Sequence, residues 1–82
     1  MMRIQVKLFA LLREIVDRSE VALEVPPGIS CGEVFFYLRE QFPALQPLLE
    51  HCLVAVNGNR ANRGFNLSAG DEVAILPPVS GG

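Results

Sequence analysis

The residues of this 82-residue chain that point most directly to chemistry are its last ones, Pro77-Pro78-Val79-Ser80-Gly81-Gly82. Two terminal glycines add nothing to a core and lose more conformational freedom on ordering than any other residue, so their position calls for a use other than stability. Passage through a narrow active site fits: Gly81 and Gly82 slip between walls that a Cβ would strike, and the terminal carboxylate travels with them. Six residues from Pro77 span at most about 20 Å when extended, enough to carry the Gly82 carboxylate from a domain surface into a buried pocket. Pro77 and Pro78 stiffen the root and so lower the entropy lost on insertion. A free carboxylate is a poor electrophile, and such a tail is expected to react only after activation at Gly82. A frayed, functionless terminus explains neither the proline pair nor the glycine pair.

Little else in the sequence competes for a chemical role. Cys31 and Cys52 are read as reduced thiols, because a reducing cytosol is expected and the core looks sufficient without staples. Cys52 reads as a small buried hydrophobe opening an apolar strand. Cys31 falls in the first turn of a predicted helix, where the dipole can lower a thiol pKa, yet no His or second Cys is near in sequence to complete a site. His51 is the only histidine and no metal-ligand spacing appears, so no metal is expected. Nucleophile, base and orienter are not found together, so catalysis by this chain alone is not expected. With a net charge of -2 and no basic stripe, nucleic acid is not an expected direct partner. The longest apolar runs, such as Cys52 to Val56, are too short to span a bilayer. Arg3, Gln5 and Lys7 interrupt the first apolar residues, so no signal peptide is expected and a cytoplasmic location is the default.

Length and composition, half apolar and a fifth charged, predict one globular domain over residues 1–76 followed by the tail at 77–82. Ile4, Val6 and Leu8 alternate with Arg3, Gln5 and Lys7 as in a half-buried strand, with Phe9 on the outer parity. Leu12, Ile15 and Val16 recur at helical spacing across Ala10 to Val16 and are expected to cover an edge of the core. Val21, Leu23 and Val25 give a second strand, paired hairpin-fashion with the first and stopped by Pro26-Pro27-Gly28. Ser30 and Glu33 form a capping box, and Ile29 with Val34 a hydrophobic staple, at the start of a helix. Val34, Leu38 and Phe42, flanked by Phe35 and Tyr37, predict its buried face, and Pro43 its end. After a short helical turn at Pro47 to Leu49, the run Cys52 to Val56 predicts a strand covered on both faces. Asn57-Gly58 predicts a turn. Asn59 to Asn66 is read as a surface loop whose Arg60 and Arg63 are solvated or contact a partner. Val73 and Ile75 then face one way, and Ala74 and Leu76 the other, in a last strand that leads into the tail.

Strand, strand, helix, strand, strand, with one main helix on one face of a mixed sheet, predicts an α+β roll of the β-grasp, ubiquitin-like kind. In such a roll the first and last strands lie side by side and parallel. Phe9 and Leu76, both on the outer parity, are therefore expected to sit together, unusually exposed, at the exit of the tail; the alternative is that the helical turn after Phe9 folds back and buries its ring. Arg13 is placed to reach a partner's carboxylate from the same side, and a solvated helical face is the alternative reading.

Phe9-Ala10 followed by Leu12-Arg13-Glu14, then Val56-Asn57-Gly58, then Gly70-Asp71-Glu72-Val73-Ala74-Ile75-Leu76-Pro77-Pro78-Val79-Ser80-Gly81-Gly82, resemble the small, sulfur-carrying subunits of molybdopterin synthase. The likeness spans nearly the whole chain and rests most on the final thirteen residues. Asn59 to Asn66 departs from it, with no acidic residue where one often occurs. The resemblance implies that a ubiquitin-activating-like enzyme uses ATP to adenylate Gly82, that a sulfur donor converts the adenylate to a thiocarboxylate, and that no cofactor is held tightly. It further implies a large-subunit partner that takes Leu76, Pro77, Pro78, Val79, Ser80 and Gly81 into its active site. There the sulfur is passed to cyclic pyranopterin monophosphate, in an assembly of two small subunits on a dimer of large ones. The alternatives are the same carrier chemistry serving thiamine, cysteine, tRNA thiolation or protein tagging, and a non-covalent ubiquitin-like module whose tail has no chemistry.

Overall fold

The alternation that opens the chain makes β1 (Met2–Leu8) a strand with one buried face, on which Ile4, Val6 and Leu8 are almost completely enclosed. A computed structural model describes residues 1–78; what was expected of Val79, Ser80, Gly81 and Gly82 lies outside the described residues. β2 (Glu20–Val25) pairs antiparallel with β1 and buries Val21, Leu23 and Val25 on the same side, with α1 (Ala10–Val16) as the connection. β3 (Leu53–Val56), β4 (Asn59–Ala61) and β5 (Glu72–Leu76) complete a five-stranded sheet in the order β2-β1-β5-β3-β4. The β1–β5 pair is parallel, while β3 runs antiparallel to both β4 and β5. This is the β-grasp arrangement.

α2 (Cys31–Gln41) covers the inner face of the sheet and starts where the capping residues dictate. The Ser30 N–H donates to Glu33 Oε1 at 3.1 Å, and the Glu33 N–H donates to Ser30 Oγ at 3.3 Å. The two remaining exposed donors of the first turn are met by a loop: Cys31 N–H donates to the Phe65 carbonyl at 2.9 Å and Gly32 N–H to the Arg63 carbonyl at 2.8 Å. Gly32 permits that approach, since a Cβ there would stand 3.2 Å from the Arg63 carbonyl oxygen. Cys31, Val34, Phe35 and Leu38 form the buried face. Phe42, expected on it, is only half-buried, because Pro43 forces the residue before it out of the helical region and off the stripe. A 3-10 turn at Pro43–Leu45 and α3 (Gln46–Leu49) insert Leu45 and Leu49 into the same core.

Three further expectations are corrected. The segment read as a loop at Asn59 to Asn66 begins with a strand, β4, because Asn57 and Gly58, at φ of 52° and 84°, form the left-handed two-residue turn that returns the chain antiparallel to β3. β3 is buried on one face only: Val54 and Val56 are inside, whereas Leu53 and Ala55 are half-exposed on a face that no helix covers. In α1 only Leu12 is buried; Ile15 is 38% exposed, because so short a helix turns one residue inward, next to the Pro43–Leu45 turn, and not a stripe.

Arg63, read as solvated or partner-facing, is exposed as a residue, but its guanidinium also acts as a structural clamp. Its guanidinium lies 4.1 Å above the Phe35 ring, and Nη2 donates to the carbonyls of Leu49, Glu50 and Cys52 at 3.2 to 3.3 Å. It thereby holds the end of α3 and the entry to β3 against α2. Arg63→Ala is expected to lower unfolding stability by about 2 kcal/mol in urea titration, the sum of orphaned carbonyls and a lost cation–π contact. Arg63→Lys should restore little of it, since an ammonium cannot both stack and fork.

Candidate functional site

The exit of the tail is fixed by how β5 is anchored at its other end. Asn57 Nδ2 donates to Asp71 Oδ1 at 3.0 Å, the Glu72 N–H donates to Asn57 Oδ1 at 2.9 Å, and the Ser68 N–H donates to Asp71 Oδ2 at 2.8 Å. Gly70 takes the positive φ of 87° that this turn needs. The latch sets the register of β5: Val73 and Ile75 enter the core and Ala74 and Leu76 the opposite face. A slip by one residue would invert both sets. Pro77 is half-buried where the strand ends and Pro78 is exposed.

Beside that exit the parallel register Leu8↔Ile75 puts Phe9 level with Leu76. Phe9 is 39% exposed. Its backbone is extended, and the chain leaves the sheet immediately after it through Ala10, whose φ of 51° lies in the left-handed region. That turn sends α1 away from β5 and leaves the Phe9 ring outside while Leu12 enters the core. Leu76 is half-buried, less open than its parity alone implies, because Leu53 pairs directly across from it. Phe9 and Arg13, with Lys7, Leu8, Ser19 and Glu20, line an open cleft of about 320 Å³. The structure thus brings Phe9, Arg13, Leu76 and Pro77 to one end of one face.

Sequence reasoning missed the rest of that face. The register Lys7↔Ala74↔Ala55↔Arg60 forms one row, and Leu76↔Leu53 forms the next, nearer the exit. Leu53, Ala55, Ala74 and Leu76 make an apolar strip rimmed by Lys7, Glu20, Arg60 and Glu72. The signal was present in the continuous apolar run of β3, but a run of that kind reads equally as burial on both faces.

Neither thiol belongs to the site. Cys31 and Cys52 are both buried and unpaired, and burial raises the pKa of each above its ordinary value. The negative charge of Asp71 adds to the effect at Cys31, while Arg63 partly offsets it at Cys52. The dipole at the start of α2 therefore does not activate Cys31. Iodoacetamide at pH 8 should label neither thiol in the folded chain and both in urea, read by intact mass. Both groups are held neutral by the fold, so their contribution is present below the free-thiol value and is lost as pH rises. Stability should decline above about pH 9, less steeply in Cys31→Ala.

A family model matches residues 6–82, a span that includes β5, the exit and the tail. The chain belongs to the ThiS family. Among relatives of this ThiS-family chain, the molybdopterin synthase sulfur carrier subunit of Chlamydomonas reinhardtii is 35% identical, over 99% of this chain and 100% of that protein. Among solved structures, the chain is similar to SAMP1 from Haloferax volcanii, with a TM-score of 0.87 and 34% identity over 98% of this chain and 99% of that one. It is also similar to a chain in the complex of subunits 1 and 2 of molybdopterin-converting factor from Helicobacter pylori. There the TM-score is 0.70, with 26% identity over 99% of this chain and 100% of that one. Among the described residues of this ThiS-family chain, no helix is long and apolar enough to cross a membrane.

Proposed function

We propose that this chain is the sulfur carrier subunit of a molybdopterin synthase. Its Gly82 carboxyl is adenylated at the expense of ATP by a ubiquitin-activating-like enzyme, converted to a thiocarboxylate by a sulfur donor, and delivered to a large subunit. The observation that carries the reading is a β5 latched in register, leading to Pro77 beside the Phe9–Leu76–Leu53 patch, in a chain matched end to end by sulfur carrier subunits.

Each part has a physical task. The Asn57–Asp71 latch holds the root, so that insertion of the tail does not pull on the sheet. The apolar strip supplies the desolvated centre of an interface, and Lys7, Arg13, Arg60, Glu20 and Glu72 its charged rim. Adenylation replaces a poor leaving group with a good one, and sulfur then displaces it. The chain contributes the acyl sulfur and the docking surface; the residues that act on cyclic pyranopterin monophosphate belong to the large subunit. ATP is consumed by the activating partner and is not a resident cofactor, and the cycle runs in the cytoplasm.

The experiment is reconstitution. Thiocarboxylated chain mixed with a molybdopterin synthase large subunit should convert cyclic pyranopterin monophosphate to the dithiolene. A thiocarboxylate that forms but yields no dithiolene would reject this acceptor. It would favour transfer of the same acyl group to another one, for which the likeness to a small archaeal modifier protein is the specific support.

A further inference from the structure

Asn57 is the one asparagine in the sequence that is followed by glycine; Asn59 and Asn62 precede arginine and Asn66 precedes leucine. Asparagine before glycine is the arrangement in which a backbone nitrogen most readily attacks the side-chain amide, because the following residue has no Cβ to hinder the approach. Asn57 and Gly58 stand exposed to solvent at the tip of the β3–β4 hairpin, with nothing within 4 Å of the place a Cβ of Gly58 would take. The same amide is the centre of the latch. Its Nδ2 donates to Asp71 Oδ1 at 3.0 Å and its Oδ1 accepts from the Glu72 N–H at 2.9 Å, while the Asn57 N–H donates to the Glu72 carbonyl at 2.8 Å. A carboxylate only accepts and an N–H only donates, so the position needs a side chain that does both, and an aspartate of the same shape does not. The backbone also opposes the attack. At a φ of 52° Asn57 lies in the left-handed region, where ψ is about 47° and the Gly58 nitrogen points away from Cβ. Ring closure needs that nitrogen to swing round until it eclipses Cβ, which undoes the turn and pulls the amide from both of its partners.

We propose that Asn57 is the site of spontaneous deamidation in this chain, that the latch holds the reaction back while the sheet is closed, and that the reaction, once it occurs, breaks the latch irreversibly. The Gly58 nitrogen attacks Cγ of Asn57 and a C–N bond forms. The Cγ–Nδ2 bond breaks, and ammonia leaves with the proton given up by the Gly58 nitrogen. Water then opens the succinimide, at Cγ to give aspartate or at the backbone carbonyl carbon to give isoaspartate. No oxidant, reductant or further reactant enters. Aspartate sets a second carboxylate against Asp71, where like charges in direct contact repel. Isoaspartate adds a methylene to a two-residue turn and shifts β4 against β3. In either product β5 loses a contact that sets its register. That the docking face of Ala74 and Leu76 loosens with it matters only on the proposed carrier role, whereas the chemistry and the loss of the latch do not rest on that role.

The test needs no partner. Full-length chain is held in warm, mildly alkaline buffer made with heavy-oxygen water, native or in guanidinium chloride, and its peptides are mapped by tandem mass spectrometry. Label should enter at residue 57 ahead of Asn59, Asn62 and Asn66, and at least tenfold faster in denaturant than in the native chain. In native Asp71→Ala it should enter about 10- to 100-fold faster than in the native wild type, the range released when a hydrogen bond to a charged group is lost. Urea titration gives a measure that does not depend on that variant. Asn57→Asp, the product itself, should unfold at lower urea than the wild type, and Asn57→Asp combined with Asp71→Asn should recover most of the loss. The exchanged pair again has one amide donating to one carboxylate, with an amide oxygen left for the Ser68 N–H. Label entering first at another asparagine, equal rates in native and denatured chain, an unchanged rate in Asp71→Ala, or an exchanged pair no more stable than Asn57→Asp alone would overturn the proposal. Any of these would leave the carrier role standing, and a failed thiocarboxylation of Gly82 would leave these results standing.

Discussion

Incubated with ATP, an adenylating enzyme and a sulfur donor, the full chain should gain the mass that replaces one oxygen by sulfur, and a chain lacking Gly82 should gain none. The expectation is absolute and not graded because, in the proposed chemistry, the reacting atoms belong to the last residue. Removing it leaves Gly81 with a carboxylate one residue, about 3.5 Å, short of its target, and displacement by even 1 Å from the productive geometry costs about 100-fold. Gly81→Ala separates reach from width: the carboxylate keeps its position but a Cβ meets the walls of the pocket. That variant should activate at least tenfold more slowly while its urea unfolding midpoint matches the wild type, since residue 81 lies five positions beyond the end of β5 in the sequence. An unchanged mass in the full chain, with an activating enzyme proven on another substrate, would end the carrier reading. A gain that survives deletion of Gly82 would move the chemistry elsewhere in the chain.

Phe9→Ala should weaken binding to the large subunit by about 30- to 1,000-fold in calorimetric titration, the loss typical of an aromatic anchor at the centre of an interface. Folding should hardly notice, because the ring is 39% exposed and Leu12, not Phe9, fills the core at this corner. Phe36→Ala is the matched control. It removes a ring of similar exposure, 47%, from the outer surface of α2, where Arg39 lies over it, on the side of the molecule away from the open sheet face. Binding by that variant should stay within twofold. Equal losses from both substitutions would mean that Phe9 acts through general stability, and no loss from either would remove the exit patch from the interface.

Local patterns survived translation into three dimensions where a residue's own backbone or near neighbours decide the outcome. The Ser30–Glu33 box needs only four residues to be satisfied, and both of its hydrogen bonds form. Alternation in β1, β2 and β5 fixes which side is buried whatever their partners are. The failures share one cause, dependence on something distant in sequence. Asn59-Arg60-Ala61 is polar and has weak strand propensity, and it becomes β4 only because the Asn57-Gly58 turn presents it to β3. Arg63 looks like any exposed cation until α3 and Phe35 are placed beneath it. Leu53 and Ala55 look like core until the sheet is seen to carry its helices on one side only. At the site, Phe9 and Leu76 could be paired from parity and topology, but the apolar strip that joins them across β3 and β5 could not, since its register is set by the Asn57–Asp71 latch.

The parallel pairing of β1 with β5 also bears on when this molecule exists as a folded object. The central pair of the sheet joins Gln5–Leu8 to Glu72–Ile75, nearly the first and nearly the last residues of the domain. Closing so long a loop is slow and contributes nothing until both ends are present. A nascent chain still inside the ribosome therefore lacks the strand that supplies Ala74 and Leu76, and with it the face on which partners would dock. β5 must be synthesised before that face can form, so a product truncated ahead of Glu72 lacks the surface that the proposed partners would hold.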